Sequence, residues 1–313
     1  GDGYGDLVVG APSLYVAFVY LGSATGLGTR ITLTGPVRVG FGSSVSWAGD
    51  TNDDGYGDVV VGACMNPSPC EGAAYVFHGT SGGIGTTSAR RLTVAGITGF
   101  GLYVQGAGEL NNDALDDIVV GSAAGVHQFL GTSATANYTA SITGMTDLDF
   151  AWDVNGDGYS DVVTGVASNT TSVTRAMRVD YGGPNGLGGA SPGGASLAIR
   201  TGGPYVAGLG DTNGDGFAEV AWSLINNSVR VHLGSASGVL QSPSVTLTPA
   251  AGENDYGWEL WHAGDVDGNN RWDLLYELTN TSPCRRVVRY HRATTGVQTA
   301  PASTIYLPLT CLF

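Results

Sequence analysis

The 313-residue sequence contains few charged side chains, since only 13% of its residues are Asp, Glu, Lys or Arg. Basic residues are the scarcer kind, with 13 against 27 acidic residues, and the formal net charge is −14. No basic patch offsets this charge, and binding to a nucleic-acid backbone depends on such patches. We therefore expect no nucleic acid among the partners of this protein.

Long hydrophobic runs are also missing from the sequence. No apolar segment approaches the roughly 20 residues that a membrane-spanning helix needs, and no stretch has the features of a signal peptide. Helical periodicity of useful length is absent as well. These absences predict a chain without a membrane span and argue against a helical fold.

Motifs of common enzyme classes are absent too. The sequence contains neither G-x-S-x-G nor H-E-x-x-H. The glycine-rich segment 182–188 lacks the strand-to-helix context of a phosphate-binding loop. Four of the five histidines lie in or at the end of strand 3 in different repeats, so we interpret the histidines as structural residues. These histidines are His78, His127, His232, His262 and His291.

The sequence has only four cysteines. Cys64 and Cys70 flank a short turn-rich segment that a disulfide could close, and Cys284 and Cys311 could tie the last repeat to the C-terminal tail. An even number of cysteines, paired by locality, fits an oxidising compartment. A zinc site is the alternative, but the CxxC spacing that favours one is absent. We therefore predict two disulfides and a secreted or cell-surface location.

Glycine, in contrast, is abundant, with 51 residues, and short β-branched runs recur along the chain. Examples are the segments 59–61, 118–120 and 162–163. β-branched residues favour strands, and glycine favours tight turns. This combination predicts an all-β protein with many tight turns.

An acidic nine-residue loop precedes each of these runs. In the copy at 50–58, oxygen ligands would come from the side chains of Asp50, Asn52, Asp54 and Asp58 and from the carbonyl of Tyr56. Calcium takes about six to eight oxygen ligands, and the glycine at position 6 permits the positive φ of a tight curl. Asx-turns without metal are the alternative, but carboxylates this crowded repel one another without a cation. The loop therefore predicts a calcium site.

Five further copies of the loop occur, and position 7 would again bind through its carbonyl. The predicted ligands are Asp2, Tyr4 and Asp6 in a shortened first copy, Glu109, Asn111, Asp113, Leu115 and Asp117 in the third, Asp153, Asn155, Asp157, Tyr159 and Asp161 in the fourth, Asp211, Asn213, Asp215, Phe217 and Glu219 in the fifth, and Asp265, Asp267, Asn269, Arg271 and Asp273 in the sixth. Position 6 is Asn270 in the sixth copy and Ala114 in the third, which we expect to be the weakest site. We predict about four to six structural calcium ions in total.

The loops recur at a period that indicates an architecture. Position 9 falls at residues 6, 58, 117, 161, 219 and 273, with intervals of 52, 59, 44, 58 and 54 residues. A period near 50 residues with β content is typical of a β-propeller, which is built from four-stranded blades. In the second repeat the predicted strands are 42–47, 58–62, 73–78 and 91–94, and the acidic loop joins the first two.

Two dipeptides accompany the loop in fixed order. Phe41-Gly42 precedes it and Gly62-Ala63 follows it; Phe100-Gly101 and Tyr256-Gly257 occupy the first slot again, and Gly10-Ala11-Pro12 the second. This order resembles the FG-GAP repeat of integrin α-subunit β-propellers and their bacterial relatives. In the fourth and fifth repeats we interpret Phe150-Ala151 and Tyr205-Val206 as replacements for Phe-Gly.

The resemblance implies a single β-propeller domain over residues 1–313, with six repeats visible and six or seven blades in the full ring. The first blade, 1–35, lacks its strand 1, and the others are predicted at 40–96, 99–144, 147–202, 204–250 and 255–310. Because the chain begins inside a motif, we expect the natural polypeptide to extend upstream and to be part of a larger protein.

The resemblance also implies a function: a non-catalytic, calcium-stabilised extracellular module for adhesion, which recognises a protein or a glycan. In such propellers the loops between strands 4 and 1 and between strands 2 and 3 share the face opposite the metal loops, where we expect the ligand. Candidate ligand-binding residues are Arg285 and Arg286 on this face and Trp258 and Trp261 on or near strand 1. The alternatives are a lectin with sugar pockets between blades and a hydrolase or lyase that uses carboxylates outside the loops.

Overall fold

The computed structural model describes residues 3–35, 40–64, 70, 72–133, 136, 138–141, 145–167, 175–188, 205–224, 228–249, 253–254, 259–281 and 284–308. Regular structure in these residues is almost entirely antiparallel β-sheet. The helical content of the described chain is a single 3-10 turn at Pro12–Leu14. The predicted all-β class is thereby confirmed.

The first half of the chain forms three sheets. The first contains β1 (Leu7–Ala11), β2 (Val16–Tyr20) and β3 (Arg30–Thr34). The second contains β4 (Phe41–Gly49), β5 (Asp58–Ala63), β6 (Ala73–Phe77) and, after a hairpin of β7 (Gly79–Thr80) and β8 (Gly83–Ile84), β9 (Arg90–Leu92). The third contains β10 (Tyr103–Gly108), β11 (Asp117–Ser122), β12 (Gly125–Phe129) and β13 (Tyr138–Ser141).

The second half forms three more sheets. The fourth contains β14 (Met145–Trp152), β15 (Asp161–Ala167) and β16 (Arg175–Asp180). The fifth contains β17 (Val206–Gly210), β18 (Glu219–Leu224), β19 (Ser228–His232) and β20 (Val245–Leu247). The sixth contains β21 (Glu253–Asn254), β22 (Leu260–Gly264), β23 (Asp273–Thr281), β24 (Cys284–His291) and β25 (Ser303–Pro308).

The second, third and fifth sheets each have four main strands in sequence order, and each acidic loop joins the first strand of its sheet to the second. The β7–β8 hairpin was not predicted. The segment 189–204, where a fourth strand of the fourth sheet would fall, lies outside the described residues. The predicted bounds of the blades and of the single domain stay a prediction.

The chain divides into two compact units, 1–145 with 183–189 and 146–182 with 190–313. Each unit has apolar clusters between neighbouring sheets. In the first unit, Phe41 packs edge-on against Tyr75 and Phe77, with ring centroids 5.7 and 6.0 Å apart. In the second unit, Trp222 and Tyr276 are the largest fully buried side chains.

The recurring dipeptides bring neighbouring sheets into backbone contact. A Cβ on Gly10 would lie 2.1 Å from the carbonyl oxygen of Gly42, and a Cβ on Gly62 would lie 2.3 Å from that of Gly101. Both Phe-Gly glycines also have positive φ, 89° and 85°. The glycine near the end of strand 2 in one sheet (Gly10 of β1, Gly62 of β5) therefore packs on the Phe-Gly glycine of the next sheet, and only glycine permits this close contact.

The two predicted replacements for Phe-Gly are wrong. Phe41 lies nine residues before the first position of its loop, whereas Phe150 lies three and Tyr205 six residues before theirs. Phe150 is part of β14, and Tyr205 directly precedes β17. The equivalent slots, 144 and 202, lie outside the described residues.

Candidate metal centres

The acidic loops share a backbone conformation that gathers N–H groups on the first carboxylate. In the loop at 50–58, Asp53 and Gly55 both have positive φ, 57° and 84°. Asp50 accepts hydrogen bonds from the N–H groups of Asp54 at 3.1 Å and Gly55 at 2.7 Å. Positions 4 and 6 are therefore both left-handed, although the sequence had indicated this only for position 6.

The same contact recurs in the other complete loops. In each of them the carboxylate at position 1 accepts a hydrogen bond from the backbone N–H of the residue at position 6. These donors are Ala114 at 3.1 Å, Gly158 at 2.8 Å, Gly216 at 3.0 Å and Asn270 at 2.7 Å. Ala114 and Asn270 have φ of 71° and 61°. The predicted left-handed turn at Asn270 is confirmed, and the alanine loop adopts the same curl despite its strain.

The asparagine at position 3 turns its amide towards the carboxylate at position 5. Asn52 Nδ2 donates to Asp54 Oδ2 at 2.9 Å, and Asn111 Nδ2 donates to Asp113 Oδ2 at the same distance. The amide oxygens of both asparagines are buried and have no hydrogen-bond partner. A buried oxygen without a donor is costly, so a cation is the group that these two loops fit.

The last loop brings three carboxylates together. Oxygens of Asp265, Asp267 and Asp273 all lie within 4.8 Å of one another. Asn269 lies beside them and donates to the carbonyl of Ala293 at 2.8 Å. Hard oxygen ligands at this spacing suit a divalent cation, and among the described residues this is the group of three acidic side chains that meets this spacing.

The carboxylate at position 9 has a second role that the sequence did not reveal. Asp58 is fully buried; its Oδ2 accepts the N–H of Thr51 at 3.1 Å, and its Oδ1 accepts that of Gly79 at 2.9 Å. Asp117, Asp161 and Asp273 make the equivalent pair of bonds. This carboxylate thus ties the loop to the residue that follows strand 3.

Burial makes three of the position-9 carboxylates, those of Asp117, Asp161 and Glu219, hard to ionise. It raises the pKa of Asp117 and Glu219 to about 7 and that of Asp161 to about 8, and nearby carboxylates of the same loops add to the increase. Hydrogen bonds from backbone N–H groups act in the opposite direction. A bound cation would favour the ionised form and lower each pKa.

The first loop is described only in part. Asp2 lies outside the described residues, whereas Asp6 accepts the N–H of Gly22 at 2.7 Å, which matches the position-9 contact of the other loops. Tyr4 lies between them with an exposed side chain. The number of ions and the weakness of the Glu109 loop stay predictions.

One of the two predicted disulfides is confirmed. Cys64 and Cys70 are bonded, with their Cα atoms 5.9 Å apart. Cys284 begins β24, and Cys311 lies outside the described residues. The second predicted disulfide therefore lies outside what the structure describes.

The predicted ligand-binding residues do not form one visible site. Trp261 is 37% exposed and pairs with Leu275. Arg285 and Arg286 lie on β24. Arg286 pairs with Thr279 of β23, which is four residues beyond Leu275, the partner of Trp261. Trp258 lies outside the described residues. The proposed ligand face therefore stays a prediction.

The buried histidines serve as hydrogen-bonding core residues. His232 Nε2 accepts from the indole N–H of Trp222 at 3.1 Å, so its Nδ1 carries the proton and donates to the carbonyl of Leu240 at 2.8 Å. His291 bonds the carbonyl of Gln298 and the hydroxyl of Tyr276. Burial lowers the pKa of both histidines, which favours neutral rings.

β14, the first or inner strand of the fourth sheet, carries two half-buried carboxylates outside the loops. Asp147 accepts the N–H of Val206 at 2.9 Å, and Asp149 accepts that of Gly208 at 3.1 Å. Burial raises the pKa of Asp147 to about 7 and that of Asp149 to about 8. Both carboxylates connect β14 to β17, so their role in the structure is to join neighbouring sheets.

Comparison with known proteins places this fold. No family model matches the chain. It is 33% identical over 159 residues to integrin α-6 of Gallus gallus, covering 47% of this chain and 14% of that protein. It is 31% identical over 137 residues to integrin α-3 of Cricetulus griseus (39% and 13%) and 42% identical over 86 residues to integrin α-11 of Homo sapiens (26% and 7%). The chain therefore spans 14% or less of these relatives.

A solved structure is similar over nearly the whole chain. The structure of BBS1N in complex with ARL6DN has a TM-score of 0.56 and 11% sequence identity, and the match covers 96% of this chain and 79% of that chain. At this identity the similarity concerns the fold alone.

The sheets and the relatives together define the class: an all-β β-propeller built from four-stranded blades. More closely, the chain has the FG-GAP, integrin α-like form of this fold, as its sequence had indicated. Among the described residues no helix is long and apolar enough to cross a membrane.

Proposed function

We propose that this protein is a non-catalytic recognition module of a secreted or cell-surface protein, and that calcium bound in its acidic loops stabilises the propeller. The buried amide oxygens of Asn52 and Asn111, which have no donor, are the observation that carries the calcium assignment. The similarity to integrin α subunits supports the adhesion role, and the Cys64–Cys70 disulfide fits an oxidising compartment.

In the loop at 50–58 the ion would be held by Asp50, Asn52, Asp54 and Asp58 and by the carbonyl of Tyr56. Calcium would supply positive charge to carboxylates that otherwise repel one another, and it would fix the turn between strands 1 and 2. Because calcium would bind only the folded loops, it would stabilise the fold by mass action.

Calcium titration calorimetry on the chain tests this assignment. We expect about four to six bound ions at saturation, and Asp54→Asn should remove one site, since it takes a charged ligand from position 5. Asp53→Asn is the matched control, because Asp53 is adjacent and acidic but is not a predicted ligand. Absence of calcium uptake up to millimolar concentration would contradict the proposal, as would equal losses in both variants.

The two half-buried acids of β14 do not favour an enzyme. Asp147 and Asp149 have the raised pKa values that a general acid needs. Each of them, however, is engaged by a backbone N–H of β17. We therefore assign them to the contact between sheets rather than to catalysis.

A further inference from the structure

Each blade has a residue directly after its strand 3, and we call this position the strand-3 slot. In the second sheet, for example, the slot lies between β6 and Gly79, whose N–H binds the carboxylate at position 9. In sheets one to six the slot residues are Leu21, His78, Leu130, Tyr181, Leu233 and Arg292. Two of them, His78 and Arg292, contact position 3 of the loop in their own sheet through a polar group.

His78 fixes the orientation of the amide at position 3 in the loop at 50–58. The Nδ2 atom of Asn52 lies 3.0 Å from His78 Nδ1 and 2.9 Å from Asp54 Oδ2. An amide nitrogen can only donate, so both partners accept its hydrogens. With the nitrogen held on this side, the amide oxygen faces the other way, where it is buried and has no donor among the described residues. His78 therefore helps to keep that oxygen available for a cation.

Arg292 contacts the same loop position with the opposite chemistry. Every complete loop carries three carboxylates among positions 1, 3, 5 and 9, but the sixth copy has Asp267 at position 3 and Asn269 at position 5, the reverse of the usual order. Arg292 Nε lies 3.3 Å from Asp267 Oδ2. Asp267 also belongs to the cluster of three carboxylates in this loop. The arginine and a bound cation would therefore compete for the same carboxylate.

The ion pair of Arg292 and Asp267 lies at the protein surface. The side chain of Arg292 is 56% exposed, and exposed ion pairs contribute little to the stability of a fold. The guanidinium nevertheless stays charged at physiological pH, and a positive charge beside a metal ligand opposes the binding of a second cation. The main effect of Arg292 should therefore fall on calcium binding and only slightly on the free energy of unfolding.

We propose that the strand-3 slot adjusts the calcium affinity of its loop. His78 strengthens binding in the loop at 50–58, because it holds the amide of Asn52 with the oxygen free for the ion. Arg292 weakens binding in the loop at 265–273, because it competes with the ion for Asp267. Both residues lie outside the nine-residue motif, so each acts as a positioning residue. The inference rests on the proposed calcium function and adds to it the residues that tune two of its sites.

Calcium titration of the isotope-labelled chain, followed by amide NMR, tests both roles at once. The backbone N–H groups of Gly55 and Asn270 report on the two loops, because each donates to the first carboxylate of its loop at 2.7 Å. Leucine is the slot residue of three sheets and fits the position. His78→Leu should raise the calcium midpoint at Gly55 about fivefold. Arg292→Leu should lower the midpoint at Asn270 about threefold, and each variant should leave the other reporter unchanged.

Two further variants separate the charge of Arg292 from its packing. Arg292→Gln keeps a polar side chain without the charge, so it should lower the midpoint at Asn270 as much as Arg292→Leu does. Arg292→Lys keeps the charge and should leave this midpoint close to that of the wild type. A midpoint that falls equally in the lysine and glutamine variants would overturn the competition between Arg292 and calcium.

The titration also distinguishes this inference from the calcium function itself. If calcium shifted the reporter signals but either leucine variant failed to move its own midpoint in the stated direction, this inference alone would be overturned. The same holds if one variant moved both reporters equally, because the slot would then act on the whole fold. If calcium shifted neither signal in the wild type, the calcium function would be rejected and this inference with it.

Discussion

Individual residues in the acidic loops have separable roles. Position 1 collects N–H groups and position 9 ties the loop to strand 3, as Asp50 and Asp58 show. Positions 3 and 5 contact each other, as in Asn52 and Asp54. The sequence predicted which residues carry oxygen, because that depends on local spacing. It could not reveal the contact from Asp58 to Gly79, since the two residues meet only through strand pairing.

Position 6 offers a direct test of backbone strain. Ala114 has a φ of 71°, and its left-handed conformation costs about 1–2 kcal/mol that glycine does not incur. Ala114→Gly should therefore raise the free energy of unfolding by about 1 kcal/mol and tighten calcium binding at the Glu109 loop. Urea unfolding with and without calcium measures both effects.

Gly55→Ala is the opposite change at the same position and should lower the free energy of unfolding by a similar amount. If Ala114→Gly and Gly55→Ala changed the free energy of unfolding in the same direction, this account of the turn would be contradicted.

The two acidic positions should respond differently to calcium. Asp58→Asn should destabilise the fold by about 1–3 kcal/mol with or without calcium, because a buried backbone N–H loses its acceptor. Asp54→Asn removes an exposed predicted calcium ligand, so it should lower the melting temperature only when calcium is present. Thermal unfolding of both variants in calcium and in EGTA distinguishes them. If the loss for Asp58→Asn vanished in EGTA, the structural anchor role would be wrong.

Among the elements, the inner strands show how neighbouring sheets are joined. Ser44 and Ser46 perform in the first unit what Asp147 and Asp149 perform in the second. Sequence reasoning predicted the strands from β-branched runs but not these cross-sheet bonds. It also missed Trp152, which has a φ of 55° where the equivalent residue is a glycine of positive φ in the four other complete loops.

Trp152 joins an aromatic cluster within the second unit. Its ring lies 4.9 Å from that of Trp272 and 5.0 Å from that of His262, measured between centroids. The residue before a loop is covered by position 8 of the next loop, as Trp272 covers Gly210. In the loop that follows Trp152, position 8 is the small Ala218. This arrangement depends on neighbours that are distant in sequence, so the local pattern could not indicate it.

The inner-strand acids predict a pH dependence of stability. The pKa of Asp147 is raised to about 7 and that of Asp149 to about 8 by burial. A carboxyl group with a raised folded-state pKa stabilises the fold in its protonated form, and this contribution is lost as pH rises from about 4 to about 8. Mild acid should therefore raise the free energy of unfolding of the wild-type chain through protonation of these two carboxylates.

A double variant, Asp147→Ser with Asp149→Ser, isolates this effect because it copies the serine pair of β4. At pH 8.5 the free energy of unfolding of this variant should exceed that of the wild type by about 2–4 kcal/mol. The upper limit for the effect is about 1.4 kcal/mol for each unit by which burial raises the two pKa values. The difference should shrink as the pH falls to 5. Urea unfolding across this range measures it, and a difference independent of pH would contradict the assignment.

At the scale of the whole molecule, a nine-residue motif predicted the repeat, the strand order within a blade and the fold class. This was possible because loop and strand alternate locally in every repeat. The Phe-Gly slots near Phe150 and Tyr205 were wrongly assigned, although the nine-residue distance from Phe41 to Asp50 was available in the sequence.

The proposed calcium ions should stabilise the propeller as a unit, because each loop joins strands 1 and 2 of its blade. Calcium at about 100 times its dissociation constant stabilises a fold by about 2.7 kcal/mol for each site. Several such sites in one chain would therefore account for a large part of a typical net stability.

The most direct test of the central claim is thermal unfolding of the chain in millimolar calcium and in excess EGTA. Calcium bound in the acidic loops predicts a melting temperature that falls by at least about 10 °C in EGTA, given about 2–4 °C for each kcal/mol in a chain of this size. Restoring calcium should recover it. A melting temperature that is the same in both buffers would contradict the account.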